Sequence, residues 1–76
     1  MEKVRKILAE TFSVRESDLT ENIEMTDIES WDSLTHMEMI ANLESELHIE
    51  FTADEIMEMT NVGKIEKMVG EKLSGN

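Results

Sequence analysis

The 76-residue chain has no cysteine, no proline and no tyrosine, and only three glycines, Gly63, Gly70 and Gly75. Without cysteine there is no disulfide, no thiolate nucleophile and no Cys-based zinc site. Positive charge is scarce: 7 Lys and Arg stand against 18 Asp and Glu, a formal net charge of −11. Such a field repels nucleic-acid phosphates and anionic membrane surfaces and attracts basic protein patches, so neither nucleic acid nor a membrane is an expected partner. Apolar runs are short, with none long enough for a signal peptide or a membrane span, and together with the missing cysteine this fits a cytoplasmic protein. A chain of this length is expected to make one domain, 1–76, with one modest core. It is too small to enclose a conventional substrate pocket and also pack around it, which disfavours an enzyme.

What is abundant is Met, Leu, Glu and Lys, while strand signals are poor, so the class reads all-α. The spacing of Val4, Ile7, Leu8 and Phe12 predicts a helix over roughly residues 2 to 12. From about Ser13 to Trp31 the chain is polar, and Val14, Leu19, Ile23, Met25 and Ile28 show no sustained period. A connection this long in so small a domain predicts an ordered loop pinned to the core by those residues.

A second helix is expected over roughly residues 32 to 47, and its wheel carries two apolar stripes. Met39, Ile40, Leu43 and Leu47 form one, with His36 alongside. Leu34, Met37 and Ala41 form the other, with Glu38 and Glu44 at its borders. One buried face explains one stripe, so the first is assigned to the core and the second to a partner or cargo. The alternative, that both stripes are core, stays open because small bundles bury wide arcs. Thr52-Ala53-Asp54-Glu55 matches a capping box and opens a short third helix carrying Ile56, Met57 and Met59. Thr60 is the expected N-cap of a fourth helix bearing Val62, Ile65, Met68, Val69 and Leu73. Lys67 and Lys72 suit its C-terminal end. Ser74-Gly75-Asn76 is expected to fray. The result is a small four-helix bundle with three main helices, one short helix and a long first loop.

Chemistry concentrates where the loop meets the second helix. Asp32 is placed to cap the first free N–H groups, leaving Ser33 in the first turn and facing solvent. A hydroxyl there suits a phosphate, because a helix N-terminus stabilises a nearby anion. Serine is also common near helix starts, so on this observation alone a second capping role for Ser33 is the favoured reading.

The segment Asp32-Ser33-Leu34-Thr35-His36-Met37-Glu38-Met39-Ile40-Ala41-Asn42-Leu43-Glu44 resembles the Asp-Ser-Leu segment of acyl carrier proteins. The order of helix, long loop, Asp-Ser-Leu helix, short helix and final helix, with acidic charge, extends the resemblance over roughly residues 2 to 73. It implies that Ser33 carries 4′-phosphopantetheine through a phosphodiester, added from coenzyme A by a phosphopantetheinyl transferase, and that Asp32 helps position Ser33. It implies that the arm's thiol holds acyl or related cargo as a thioester, in lipid metabolism such as fatty acid biosynthesis or in a related pathway. The chain would then be a monomeric, non-catalytic substrate of acyl- or aminoacyl-loading ligases and synthases with basic patches. Leu34, Met37, Glu38, Ala41 and Glu44 would form the surface those enzymes read. Two departures stand out: Ser30-Trp31 precede the Asp where the family often has Gly two residues before it, and Thr35 stands where several members carry an acid. The Trp-Asp-Ser-Leu form is more similar to discrete carriers of specialised pathways than to the housekeeping carrier.

From a different class comes an acidic helical interaction module such as a calcium sensor. Asp27, Glu29 and Asp32 are spaced somewhat like a calcium loop, and the seven methionines suit an adaptable groove. The loop lacks the alternating ligands, central Gly and terminal Glu of an EF-hand, so no metal site is assigned. His36 and His48 have no cysteine partner and no paired carboxylate arrangement, which disfavours an enzyme; His36 is expected to be a partly packed helix residue. Trp31 is expected to anchor the loop at the helix start.

Overall fold

The computed structural model describes residues 2–74. Four α-helices run Glu2–Phe12 (α1), Ser33–Leu47 (α2), Ala53–Glu58 (α3) and Val62–Leu73 (α4), with no strand among the described residues. The expected bundle of three main helices and one short one is the observed architecture.

The core is built from the apolar stripes of the three longer helices. Val4, Leu8 and Phe12 of α1, Met39, Ile40 and Leu43 of α2, and Val62, Ile65 and Val69 of α4 are all buried. Each such side chain removed from water contributes about 1.5–3 kcal/mol. Leu47 and Met68 pack at its margin. The α3 helix contributes no buried residue of its own. Met59, which follows it, is fully buried, whereas Met57 is 74% exposed and Leu73 50% exposed, so two residues expected on inner faces point outward. A six-residue helix lying on the bundle has room for one inward position, and Ile56 takes it, half-buried against the core.

The first loop is ordered by two short 3-10 turns, Glu16–Asp18 and Met25–Asp27, and by its apolar pins. Leu19 is completely buried, and Val14, Ile23, Met25 and Ile28 pack half-buried against the core. Backbone bonds then stitch the loop to the start of α4. Met25 N–H donates to Thr60 O at 2.9 Å, Val62 N–H to Ile23 O at 2.9 Å, and Gly63 N–H to Glu21 O at 3.0 Å. A Cβ on Gly63 would stand 3.0 Å from that same Glu21 carbonyl, so glycine permits the approach.

This stitch also corrects the cap of α4. Asn61, not Thr60, is the N-cap, its Oδ1 accepting the Lys64 N–H at 2.7 Å. Thr60 sits one residue earlier, its carbonyl committed to Met25. Thr52 and Glu55 close the expected capping box of α3, at 2.8 and 3.2 Å. At the other end of α4, Lys72 reaches Glu55 at 2.8 Å and tethers α3 to it. The α2 helix ends on His48 in the left-handed region, φ 55°. The expected fraying of Ser74, Gly75 and Asn76 lies outside the described residues except at Ser74, whose hydroxyl donates to Gly70 O at 2.8 Å.

Candidate functional site

Ser33 is the first residue of the longest helix and is exposed. Both neighbours that fix its place are anchored. On its N-terminal side Trp31 is 3% exposed and stacks on Phe12 of α1, with ring centroids 4.7 Å apart. Ser30 adds a second tie to the end of α1, its hydroxyl donating to Phe12 O at 2.6 Å. The turn between the loop and α2 is thereby fastened to α1 just ahead of the serine.

Asp32 is the N-cap. Its Oδ1 accepts the Thr35 N–H at 3.0 Å, while the Thr35 hydroxyl accepts the Asp32 N–H at 2.9 Å and donates to Ser30 O at 2.6 Å. Thr35 therefore completes a capping box in place of the usual Glu or Gln. The Thr35 N–H bond is the main reason the Asp32 carboxyl lies below its ordinary pKa, so the residue stays ionised at neutral pH. Asp32 thus presents a fixed negative charge and a fixed backbone turn immediately before an exposed hydroxyl.

The two stripes of α2 separate as expected. Met39, Ile40 and Leu43 are buried, while Leu34 at 71% exposure, Met37 at 52% and Ala41 face solvent. Core packing does not account for the second stripe. Glu38 is exposed beside it. Glu44 is different: it is half-buried, and its Oε2 accepts the Phe51 N–H at 2.9 Å. The expectation of a solvent-pointing Glu44 at the border of the stripe is corrected, because that carboxylate braces the turn between α2 and α3. Nothing in the sequence near Glu44 signals a partner seven residues away.

His36 was expected to be partly packed and is buried. Its Nδ1 receives the Trp31 indole N–H at 3.0 Å, and its Nε2 lies 2.9 Å from Ile56 O. An indole N–H only donates, so Nδ1 is the acceptor and Nε2 carries the proton given to Ile56. That spends both ring nitrogens on structure. Asp27 likewise accepts the Glu24 N–H at 2.9 Å, and Asp32 is committed to its cap, so the two aspartates that suggested a calcium loop serve turns. No group of three or more potential metal ligands occurs among the described residues. Nor is any helix among them long and apolar enough to cross a membrane.

The site is a projecting hydroxyl rather than a cleft. A groove between α3 and α4, lined by Met57, Thr60, Lys64, Lys67 and Met68, does not include Ser33. The arrangement suits a group that is joined at one end and extends away from the surface. An exposed hydroxyl at the positive end of a 15-residue helix lies where a nearby anion is stabilised.

Comparisons with known proteins agree with this geometry. The family described as "Phosphopantetheine attachment site" matches residues 2–69. Among solved structures, the fold is similar to the solution NMR structure of a holo acyl carrier protein from Geobacter metallireducens. The TM-score is 0.87 at 33% identity, with 96% of this chain and 84% of that chain covered.

Proposed function

This chain belongs to the phosphopantetheine-attachment family of acyl carrier proteins, and from that premise we propose that Ser33 is the attached residue and that acyl or aminoacyl cargo is delivered from it to partner enzymes. The bound group would supply a terminal thiol, which would hold cargo as a thioester and so provide the nucleophilic thiol that a chain without cysteine lacks.

The observation that carries this reading is the position of Ser33: exposed, first in α2, and directly preceded by the N-cap Asp32 and the buried Trp31. The Ser33 hydroxyl would give up its proton to the transferase as its oxygen bonds to the pantetheine-side phosphorus of coenzyme A, the pyrophosphate P–O bond breaking and adenosine 3′,5′-bisphosphate leaving. Asp32 fixes the turn so that the hydroxyl is presented at the same place to every enzyme. Leu34, Met37 and Ala41 supply an apolar contact, and Glu38 steers basic partners toward it. The chain acts as a substrate for those enzymes. Its Trp-Asp-Ser-Leu segment favours a discrete carrier of a specialised pathway.

The test is intact mass after incubation with coenzyme A, magnesium and a broad-specificity phosphopantetheinyl transferase. The wild type gains the mass of one phosphopantetheine, and Ser33→Ala folds and gains nothing. A modified Ser33→Ala, or a wild type refused by every transferase tried, overturns the assignment.

A further inference from the structure

His36 stands apart among the titratable side chains. Among the described residues it is the one buried polar side chain, it lies one turn from Ser33, and the carrier chemistry does not use it. It also joins three segments of the chain. The Trp31 indole N–H reaches its Nδ1 at 3.0 Å, and the two rings lie nearly parallel, 17° apart, with Trp31 itself stacked on Phe12 of α1. Its Nε2–H reaches the Ile56 carbonyl of α3 at 2.9 Å.

The α3 helix needs such a tether. It is six residues long, far below what holds as an isolated helix in water, and buries none of its own side chains fully. Among the described residues, the side-chain bonds that reach into it from other helices are the His36–Ile56 bond and the Lys72–Glu55 ion pair. The ion pair is surface-accessible and screened by salt. The His36 bond is better shielded and carries direction.

We propose that His36 is a positioning residue that locks α3 to the start of α2, so that the exposed Met57, next in the chain to Ile56, is presented in fixed relation to Ser33. Its two ring nitrogens divide the task. Nδ1 ties the helix start to Trp31 and thus to α1, and Nε2 ties α3 to the same ring. A partner enzyme that touches α2 and α3 together then meets one preassembled surface rather than two independently moving ones. This last step rests on the carrier reading, whereas the locking of α3 does not.

The halves separate by substitution. His36→Asn places an amide oxygen near the position of Nδ1 and has no group reaching Ile56. His36→Gln places an amide N–H near the position of Nε2 and leaves Trp31 without its acceptor. Amide hydrogen exchange measured by NMR on the apo protein reads α3 directly. In His36→Asn the α3 amides are expected to exchange about fivefold to tenfold faster, the loss of roughly one net hydrogen bond. The α1 and α4 amides keep their protection, and the fluorescence of the single tryptophan, Trp31, is unchanged. His36→Gln restores α3 protection but shifts that fluorescence. In transferase kinetics with coenzyme A, His36→Asn raises KM for the carrier with kcat little altered, and His36→Gln is closer to wild type.

Unchanged α3 exchange in His36→Asn overturns the proposal. So does an acceleration shared equally by all helices, which would make His36 a core residue like any other. Should His36→Asn fail to fold, the exchange pattern of His36→Gln decides: selective loss of α3 protection there contradicts the assigned division. A wild type that accepts no phosphopantetheine while α3 exchange behaves as stated sinks the carrier reading and leaves the lock standing.

Discussion

Asp32 and Thr35 hold one another reciprocally, each backbone N–H donating to the other's side-chain oxygen, at 2.9 and 3.0 Å. The pair separates two contributions of Asp32, its cap and its charge. Asparagine caps a helix about as well as aspartate, whereas alanine loses about 1 kcal/mol. Asp32→Asn is therefore expected to keep its urea midpoint while loading by the transferase falls on the order of tenfold, roughly 1.4 kcal/mol in the transition state. Equal loading of the two proteins would show that the cap is all that Asp32 supplies.

Recognition by basic partners is tested at Glu38. Glu44 is unsuitable because it braces Phe51, Glu66 because it binds Arg5 at 2.7 Å, and Glu10 because it borders the same shallow groove as Glu38, Ala41 and Asn42. Glu38→Lys is expected to slow loading several-fold at low ionic strength, with the deficit shrinking as salt screens the field. Glu71→Lys, exposed on α4, makes the same change in net charge and should matter much less. Equal losses would mean that total charge, not the α2 face, guides the encounter.

Repulsion among 18 acids outweighs the attraction that 7 basic residues provide. Added sodium chloride, and more so millimolar magnesium, should raise Tm, even though salt weakens the Arg5–Glu66 and Lys72–Glu55 pairs. A Tm that falls with salt in calorimetry would give those pairs the larger share.

Acid works in the opposite sense on three carboxyls. Glu66 is lowered chiefly by its hydrogen bond from Arg5, Glu55 by that from Lys72, and Asp32 by the Thr35 N–H. Since each native value lies below the unfolded one, their stabilisation is complete above the ordinary carboxylate range and is lost as pH falls from that range through the lower native values. Urea midpoints against pH should show that acid limb, and Glu66→Gln should make it shallower. An identical limb in the variant would remove Glu66 from the account.

His48 closes α2 in the left-handed region at φ 55°. A non-glycine residue there costs about 1–2 kcal/mol. Glycine would relieve it but add about 0.5–1 kcal/mol of unfolded-chain entropy. Relief exceeds cost, so His48→Gly is expected to raise the urea midpoint slightly, and a drop would mean that the imidazole makes a compensating contact.

Periodicity made the α1 stripe, the two faces of α2 and the capping box at Thr52 legible, because each is written within a few residues. The features that sequence reasoning missed depend on partners far along the chain. His36 waits on Ile56, Glu44 on Phe51, and Asn61 gains the α4 cap only because the preceding residue is tied to Met25. The box at Asp32 escaped notice for a different reason: threonine at its third helical position is not the usual Glu or Gln. The outward turn of Met57 follows from the brevity of α3, which a hydrophobic pattern does not encode.

The stitch between residues 21–25 and 60–63 bears on the order in which the molecule assembles. Helices form from contacts close in sequence, quickly and one at a time, whereas this seam must bring together segments separated by α2 and α3. Loop closure of that span carries its entropic cost before any reward is collected. The seam is thus placed to form late on the way to the native state, and a weakening such as Gly63→Ala would hasten unfolding more than it slows refolding.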